Sequence, residues 1–199
     1  MQFKFLRLSA LAFTSIACMA RPVSAAGNAA VSAPAAVVAP ASTVPAALAP
    51  PNLVEITPQL STSGQPPAEV LKDLHAQGYE AVVYLAPPNV GDAVKDEALI
   101  VGSQGMTFVN IPIRFGNPTE QDFETFAAVL SALGPRKVLV HCQVNMRASS
   151  MVFLYRTIKL KQDPHKAYES VSRIWVPEGP WKTLIQSQLK KHGVNFDPF

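Results

Sequence analysis

The chain alternates between two kinds of apolar pattern. Ala81-Val82-Val83-Tyr84-Leu85 is a short β-branched run closed by Pro87-Pro88, and Met106 to Ile113 and Lys137-Val138-Leu139-Val140-His141 are two more. Short continuous apolar runs bounded by Gly or Pro suit strands buried in a parallel sheet. Between them the spacing turns helical. Val70, Leu71 and Leu74 predict a helix over Pro66 to Gln77, which Gly78 is placed to end. A weaker helix is predicted over Asp92 to Ser103. Thr119 and Asp122 form a capping-box pattern, with Asp in place of Glu or Gln, at the head of a helix running to Leu133. Phe123, Phe126, Ala127 and Leu130 share one face of it, and Gly134-Pro135 stops it. Ala148 to Leu160 is strongly apolar and predicted to be central. Two shorter helices follow over Pro164 to Ile174 and Pro180 to Lys191. This alternation predicts an α/β domain: a central, mostly parallel sheet flanked by helices.

The N-terminal quarter has a different composition. Ala26 to Pro51 carries no charge and no aromatic residue, only mostly Ala, Pro, Val and Ser, and reads as a flexible linker. Ahead of it, Lys4 and Arg7 precede an apolar run from Leu8 to Ala20, and Val23-Ser24-Ala25 is a small-x-small site. That is the pattern of a secretory signal cleaved before Ala26. The expected organisation is a signal peptide over 1–25, a linker over 26–51 and a folded domain over 52–199, in a bacterial periplasmic or secreted protein. A retained anchor, or a lipoprotein built on Cys18, is the alternative. Taking away Lys4, Arg7 and Arg21 leaves 14 basic residues of the original 17 against 14 acidic ones. A chain near neutrality has no basic surface for nucleic acid, and no stable membrane association is expected once the signal is gone. Cys18 leaves with the signal, so Cys142 stands alone and no internal disulfide can form.

In parallel sheets, ligands bind beyond the carboxyl ends of strands, where a loop enters a helix. One such loop reads His141-Cys142-Gln143-Val144-Asn145-Met146-Arg147-Ala148-Ser149-Ser150. A cysteine between a strand and a helix N-terminus sits where backbone N–H groups converge. Those donors and the helix dipole favour a thiolate, and equally a bound phosphate. The amides of Gln143, Val144, Asn145 and Met146 with the guanidinium of Arg147 therefore form a candidate anion cradle. The plainer alternative is an inert buried thiol. His75, His165 and His192 show no metal-ligand spacing, and there is no phosphate-loop or dinucleotide fingerprint, so neither metal nor cofactor is expected.

This segment resembles the Cys-based protein tyrosine phosphatase superfamily, in its bacterial dual-specificity-like branch. The His141-Cys142 pair, the arginine shortly after it and the preceding apolar strand carry the likeness. Ile56-Thr57-Pro58-Gln59-Leu60-Ser61-Thr62-Ser63-Gly64-Gln65-Pro66, the stretch Gly78 to Leu85, and Ile111-Pro112-Ile113 followed by Asn117-Pro118 extend it over most of Asn52 to Lys191. The resemblance implies a phosphatase fold, with Cys142 as nucleophile of a cysteinyl-phosphate and Arg147 as phosphate grip. It gives His141 a supporting role in orienting the loop and tuning the thiol. It implies a phosphorylated protein or a small phosphate ester as partner, and hydrolysis of phosphotyrosine or related aryl monoesters. It says nothing of oligomeric state.

The sequence also departs from the family pattern. Four residues separate Cys142 from Arg147 where the family has five, and the loop lacks glycines, so positive φ would fall on a residue such as Asn145. Ala148 follows the arginine where the family has Ser or Thr, and Ser149 is the nearest substitute. The family's general acid is an Asp about thirty residues before the cysteine. Here Ile113-Arg114-Phe115-Gly116-Asn117-Pro118 holds no acid, and Glu120 and Asp122 are the nearest candidates, although capping already occupies Asp122. Without an acid, phenolate leaving groups are tolerated better than alkoxides. Arg114 is either a phosphate contact or a solvated loop residue, and Trp175 and Trp181 are expected to pack the C-terminal helices together. Two other functions remain on sequence grounds: a pseudophosphatase that binds phospho-ligands, and sulfur transfer of the rhodanese type.

Overall fold

The computed structural model describes residues 49–199. The expected signal peptide and nearly all of the expected linker lie outside them. Five strands form one sheet: β1 (Val54–Thr57), β2 (Leu60–Ser63), β3 (Ala81–Tyr84), β4 (Thr107–Asn110) and β5 (Val138–His141), in the order β1-β2-β5-β3-β4. β1 and β2 pair antiparallel; β2 with β5, β5 with β3 and β3 with β4 are parallel. The helices are α1 (Ala68–Asp73), α2 (Glu97–Gly102), α3 (Glu120–Leu133), α4 (Met146–Leu154), α5 (Pro164–Ser172) and α6 (Gly179–Lys191), with a π-helical turn over Tyr155–Lys159 closing α4.

The three expected strands are present, and the sheet is mostly parallel. The β1–β2 hairpin is an addition. Its sequence, Val-Glu-Ile-Thr and Leu-Ser-Thr-Ser, is short and polar, so no apolar run marks it. Ser61, Thr62 and Ser63 are nevertheless buried, which requires partners for their hydroxyls. Tyr79 donates its phenolic proton to Ser61 at 3.0 Å, and Ser63 donates to the Gly64 carbonyl at 2.8 Å.

The helix predicted from Asp92 shrinks to Glu97–Gly102, with Asp96 left-handed at its start (φ 59°). The residues between Pro87 and Asp96 form a loop instead. α1 is likewise shorter than its pattern, and Gly78 (φ 83°) turns the chain after it. α3 has the expected capping box. The Thr119 hydroxyl accepts from the Asp122 amide, and the Asp122 carboxylate accepts from the Thr119 amide at 2.8 Å. Such a cap contributes roughly 1 kcal/mol.

α4 is buried from Arg147 to Leu154, its Met151 and Phe153 in one cluster with Val140, Trp181 and Ile185, and α3, α5 and α6 lie against it on one side of the sheet. α1 and α2 cover the other side through Val70, Leu71, Leu74 and Val101. Because both faces are covered, β3 and β5 are buried at every residue. No helix among the described residues is long and apolar enough to cross a membrane.

Candidate active site

Parallel register aligns Ser63, His141, Tyr84 and Asn110 in one row at the carboxyl edge of the sheet. The chain leaves β5 at this edge, passes through Cys142 and enters α4 at Met146. Asn145 makes the turn with φ 72° and ψ −1°, the left-handed residue expected of a loop without glycine. Its side chain does not cap the helix. Nδ2 donates instead to the Asn52 carbonyl at 2.6 Å and to the Thr62 hydroxyl at 3.1 Å, tying the loop to the start of the domain and to β2.

A second tie runs through Gly64. Its amide donates to the Pro51 carbonyl at 2.6 Å, and the next amide, of Gln65, donates to the Gln143 carbonyl at 2.9 Å. Asn52 Nδ2 completes the clamp on the Val144 carbonyl at 3.1 Å. A Cβ on Gly64 would stand 2.8 Å from the Gln143 oxygen and 3.0 Å from the Pro51 oxygen. Both are backbone atoms and cannot swing away. Gly64→Ala is therefore expected to cost about 1–3 kcal/mol by overpacking and to displace the cysteine loop. Thermal unfolding checks this: a Tm lowered by several degrees is expected, and an unchanged Tm would show that the loop yields freely.

Cys142 is fully buried at the base of this loop. Among the described residues, the backbone N–H groups of Gln143, Val144, Met146 and Arg147 donate to no protein acceptor. Arg147 is 4% exposed, yet no carboxylate lies within ion-pair distance of it among the described residues. Its guanidinium is held on two sides. Nε donates to the Ile113 carbonyl at 3.1 Å, one Nη to Gln143 Oε1 at 3.2 Å, and the group lies 5.2 Å over the Phe115 ring. A buried cation with no counter-charge is costly. Beside free amides at a helix N-terminus, it is chemically suited to hold an anion.

Beneath Cys142 a buried stack supports the loop. His141 Nε2 lies 2.8 Å from Glu97 Oε1, a close contact between two buried side chains without straight hydrogen-bond geometry. Gln65 donates to the other Glu97 oxygen at 3.0 Å. Tyr84 stacks on His141 with ring centroids 4.8 Å apart. Burial first, then the carboxylates of Glu97 and Asp92, push the Tyr84 phenol up to about 12, so it stays protonated at any physiological pH.

The remaining expected residues fall as follows. Ser149 donates to the Met146 carbonyl at 3.2 Å within its own helix and makes no hydrogen bond to Cys142. Val144 is exposed and Met146 half-buried. Asp122 is locked in the capping box, and Glu120 pairs with Lys191 at the exposed end of α3; neither hydrogen-bonds to the cysteine loop. Arg114 is exposed. Trp181 does more than pack helices: its indole N–H donates to the Phe115 carbonyl at 2.8 Å, and with Trp175 it holds the loop that covers Arg147. The sequence pattern does not mark Asp92, Glu97, Asn52 or the Ile113 carbonyl. Glu97 lies beside exposed Asp96 in an ordinary polar helix start, with no signal to separate the buried acid from the solvated one.

The model of the family described as DSP-PTPase phosphatase fused to NAD+ kinase matches residues 54–184. The chain belongs to this family. It is thus a protein tyrosine phosphatase-like phosphoric monoester hydrolase, and the matched span holds the whole cysteine loop. Among solved structures, a DUF442 protein from Shewanella putrefaciens CN-32, described as a phosphatase, is 33% identical to this phosphatase. The match covers 72% of this chain and 92% of that one, with a TM-score of 0.66. Tk-PTP shares the fold at 19% identity and TM-score 0.57, over 73% of this chain and 99% of its own. So does the core catalytic domain of the PP-IP phosphatase SIW14 from S. cerevisiae, at 14% identity and TM-score 0.58, over 73% and 88%. No curated protein sequence matches significantly.

Proposed function

We propose that this phosphatase hydrolyses phosphotyrosine or related aryl and small phosphate monoesters through a cysteinyl-phosphate on Cys142. The observation that carries the reading is the buried Arg147 guanidinium in the loop of Cys142, with no carboxylate partner among the described residues, and the amides of Gln143, Val144, Met146 and Arg147, which donate to no acceptor there. In the first step the sulfur attacks phosphorus, an S–P bond forms and the ester P–O bond breaks. Water then attacks phosphorus, the S–P bond breaks and the thiolate returns. The amides and the guanidinium fork hold the equatorial oxygens as charge spreads over them. Phe115 and Val144, 40% and 43% exposed, flank the loop with apolar surface suited to an aromatic leaving group.

An acid quench during turnover of a radiolabelled aryl phosphate is expected to leave one phosphate on the peptide containing Cys142. Label on another residue, or none during rapid steady turnover, would overturn the route. We also propose export, on the sequence signal at residues 1–25 alone. Expressed in a bacterium, the mature chain is expected in the periplasm or the medium with Ala26 as its first residue. A full-length chain confined to the cytosol would refute export.

A further inference from the structure

The reaction needs a proton for its leaving oxygen, and the loop over Arg147 carries no acid. We infer that Asp92, in the β3–α2 loop, is the general acid of this site; the inference rests on the cysteinyl-phosphate reading above. Its Oδ1 accepts from Gln143 Nε2 at 2.7 Å, and Gln143 follows Cys142 directly. The same Gln143 side chain accepts from Arg147 through its Oε1, so carboxylate, amide and guanidinium form one chain across the loop. Among the described residues, Asp92 is the one carboxylate that hydrogen-bonds to a side chain of Cys142–Arg147.

Three other acids close in space or sequence are engaged elsewhere. Glu97 is buried against His141 and Gln65, Asp122 is in the α3 cap, and Glu120 is paired with Lys191. Asp92 is exposed, and its Oδ2 has no hydrogen bond among the described residues. That oxygen is free to carry a proton while Oδ1 stays latched to the loop. The carboxylate of Asp92 also lies close enough to Tyr84, whose ring stacks on His141 beneath Cys142, to act electrostatically on its phenol.

The step balances. As the S–P bond forms and the ester P–O bond breaks, the proton of the Asp92 carboxyl passes to the departing oxygen, which leaves as a neutral alcohol or phenol. The resulting carboxylate then takes a proton from the water that attacks the cysteinyl-phosphate, which restores the acid. No other reactant is required.

Asp92→Asn separates this role from a merely positioning one. An asparagine oxygen still accepts from Gln143 Nε2, so the latch survives while the transferable proton is lost. The test measures kcat/KM for a series of aryl and alkyl phosphates of graded leaving-group acidity, for the natural chain, Asp92→Asn and Asp92→Glu, with Cys142→Ser beside them. Asp92→Asn is expected to lose about 10²–10³-fold on the poorest leaving groups and less than about 10-fold on 4-nitrophenyl phosphate. Asp92→Glu is expected to recover part of the loss. A loss equal across the series, or no loss, while turnover remains Cys142-dependent, would overturn the assignment of Asp92 and leave the phosphatase reading standing. Absence of Cys142-dependent turnover in the natural chain would overturn both.

Discussion

Cys142→Ser is expected to lower turnover of aryl phosphates by at least about 10⁴-fold while keeping affinity for inorganic phosphate within a few-fold. The two halves of this result have separate physical origins. A serine hydroxyl must lose its proton to become a nucleophile, and among the described residues no side chain hydrogen-bonds to the side chain at position 142 to take it. The proposed anion receptor, by contrast, owes nothing to the sulfur. It consists of backbone amides and Arg147, held in place by Asn145, Gly64 and Gln143. Steady-state kinetics and calorimetric titration with phosphate check the two halves independently. Full turnover in the serine variant would remove Cys142 from the chemistry.

Replacing Arg147 is expected to separate activity from stability. Arg147→Lys retains a positive charge but loses the planar fork, and kcat/KM is expected to fall about 10²–10³-fold; Arg147→Met, which also loses the charge, is expected to fall about 10³–10⁵-fold. Stability should not follow. The guanidinium is buried without a carboxylate partner among the described residues, so the folded state bears its desolvation cost uncompensated. Methionine removes that cost and fills a similar volume, although it leaves the Ile113 carbonyl and Gln143 Oε1 without a donor. These effects oppose each other, and the Tm of Arg147→Met is expected to stay level or rise by a few degrees. Added phosphate should raise the Tm of the natural chain by mass action and leave that of Arg147→Met unmoved. A Tm drop of ten degrees in the methionine variant would show that Arg147 is chiefly a structural residue.

Much of this site was legible from the sequence because its main signals are local. The β5–α4 loop follows from an apolar run, a cysteine and a helical pattern in succession. The left-handed turn at Asn145 follows from a tight loop without glycine. The capping box assigns Asp122 to α3 by the spacing of Thr119 and Asp122 alone. What was not legible depends on contacts distant in sequence. Asp92 meets Gln143 only because the β3–α2 loop folds over the sheet edge, and a solvated loop aspartate has no pattern of its own. Glu97 is buried by docking of α2 against the Tyr84–His141 stack, which no helical periodicity encodes. The β1–β2 hairpin is polar because its hydroxyls serve the site and core, Thr62 receiving Asn145 and Ser61 receiving Tyr79, and that service erases the alternation that would mark it as strand.

The clamp on the cysteine loop has a practical consequence for where the catalytic unit begins. The first strand starts at Val54, yet Pro51 and Asn52 already hold Gly64, Asn145 and Val144. A recombinant domain trimmed to the start of the sheet would retain every element of regular structure and lose three of the hydrogen bonds that fix its cysteine loop. The functional boundary therefore lies inside the sequence expected as linker, at Pro51 or before it.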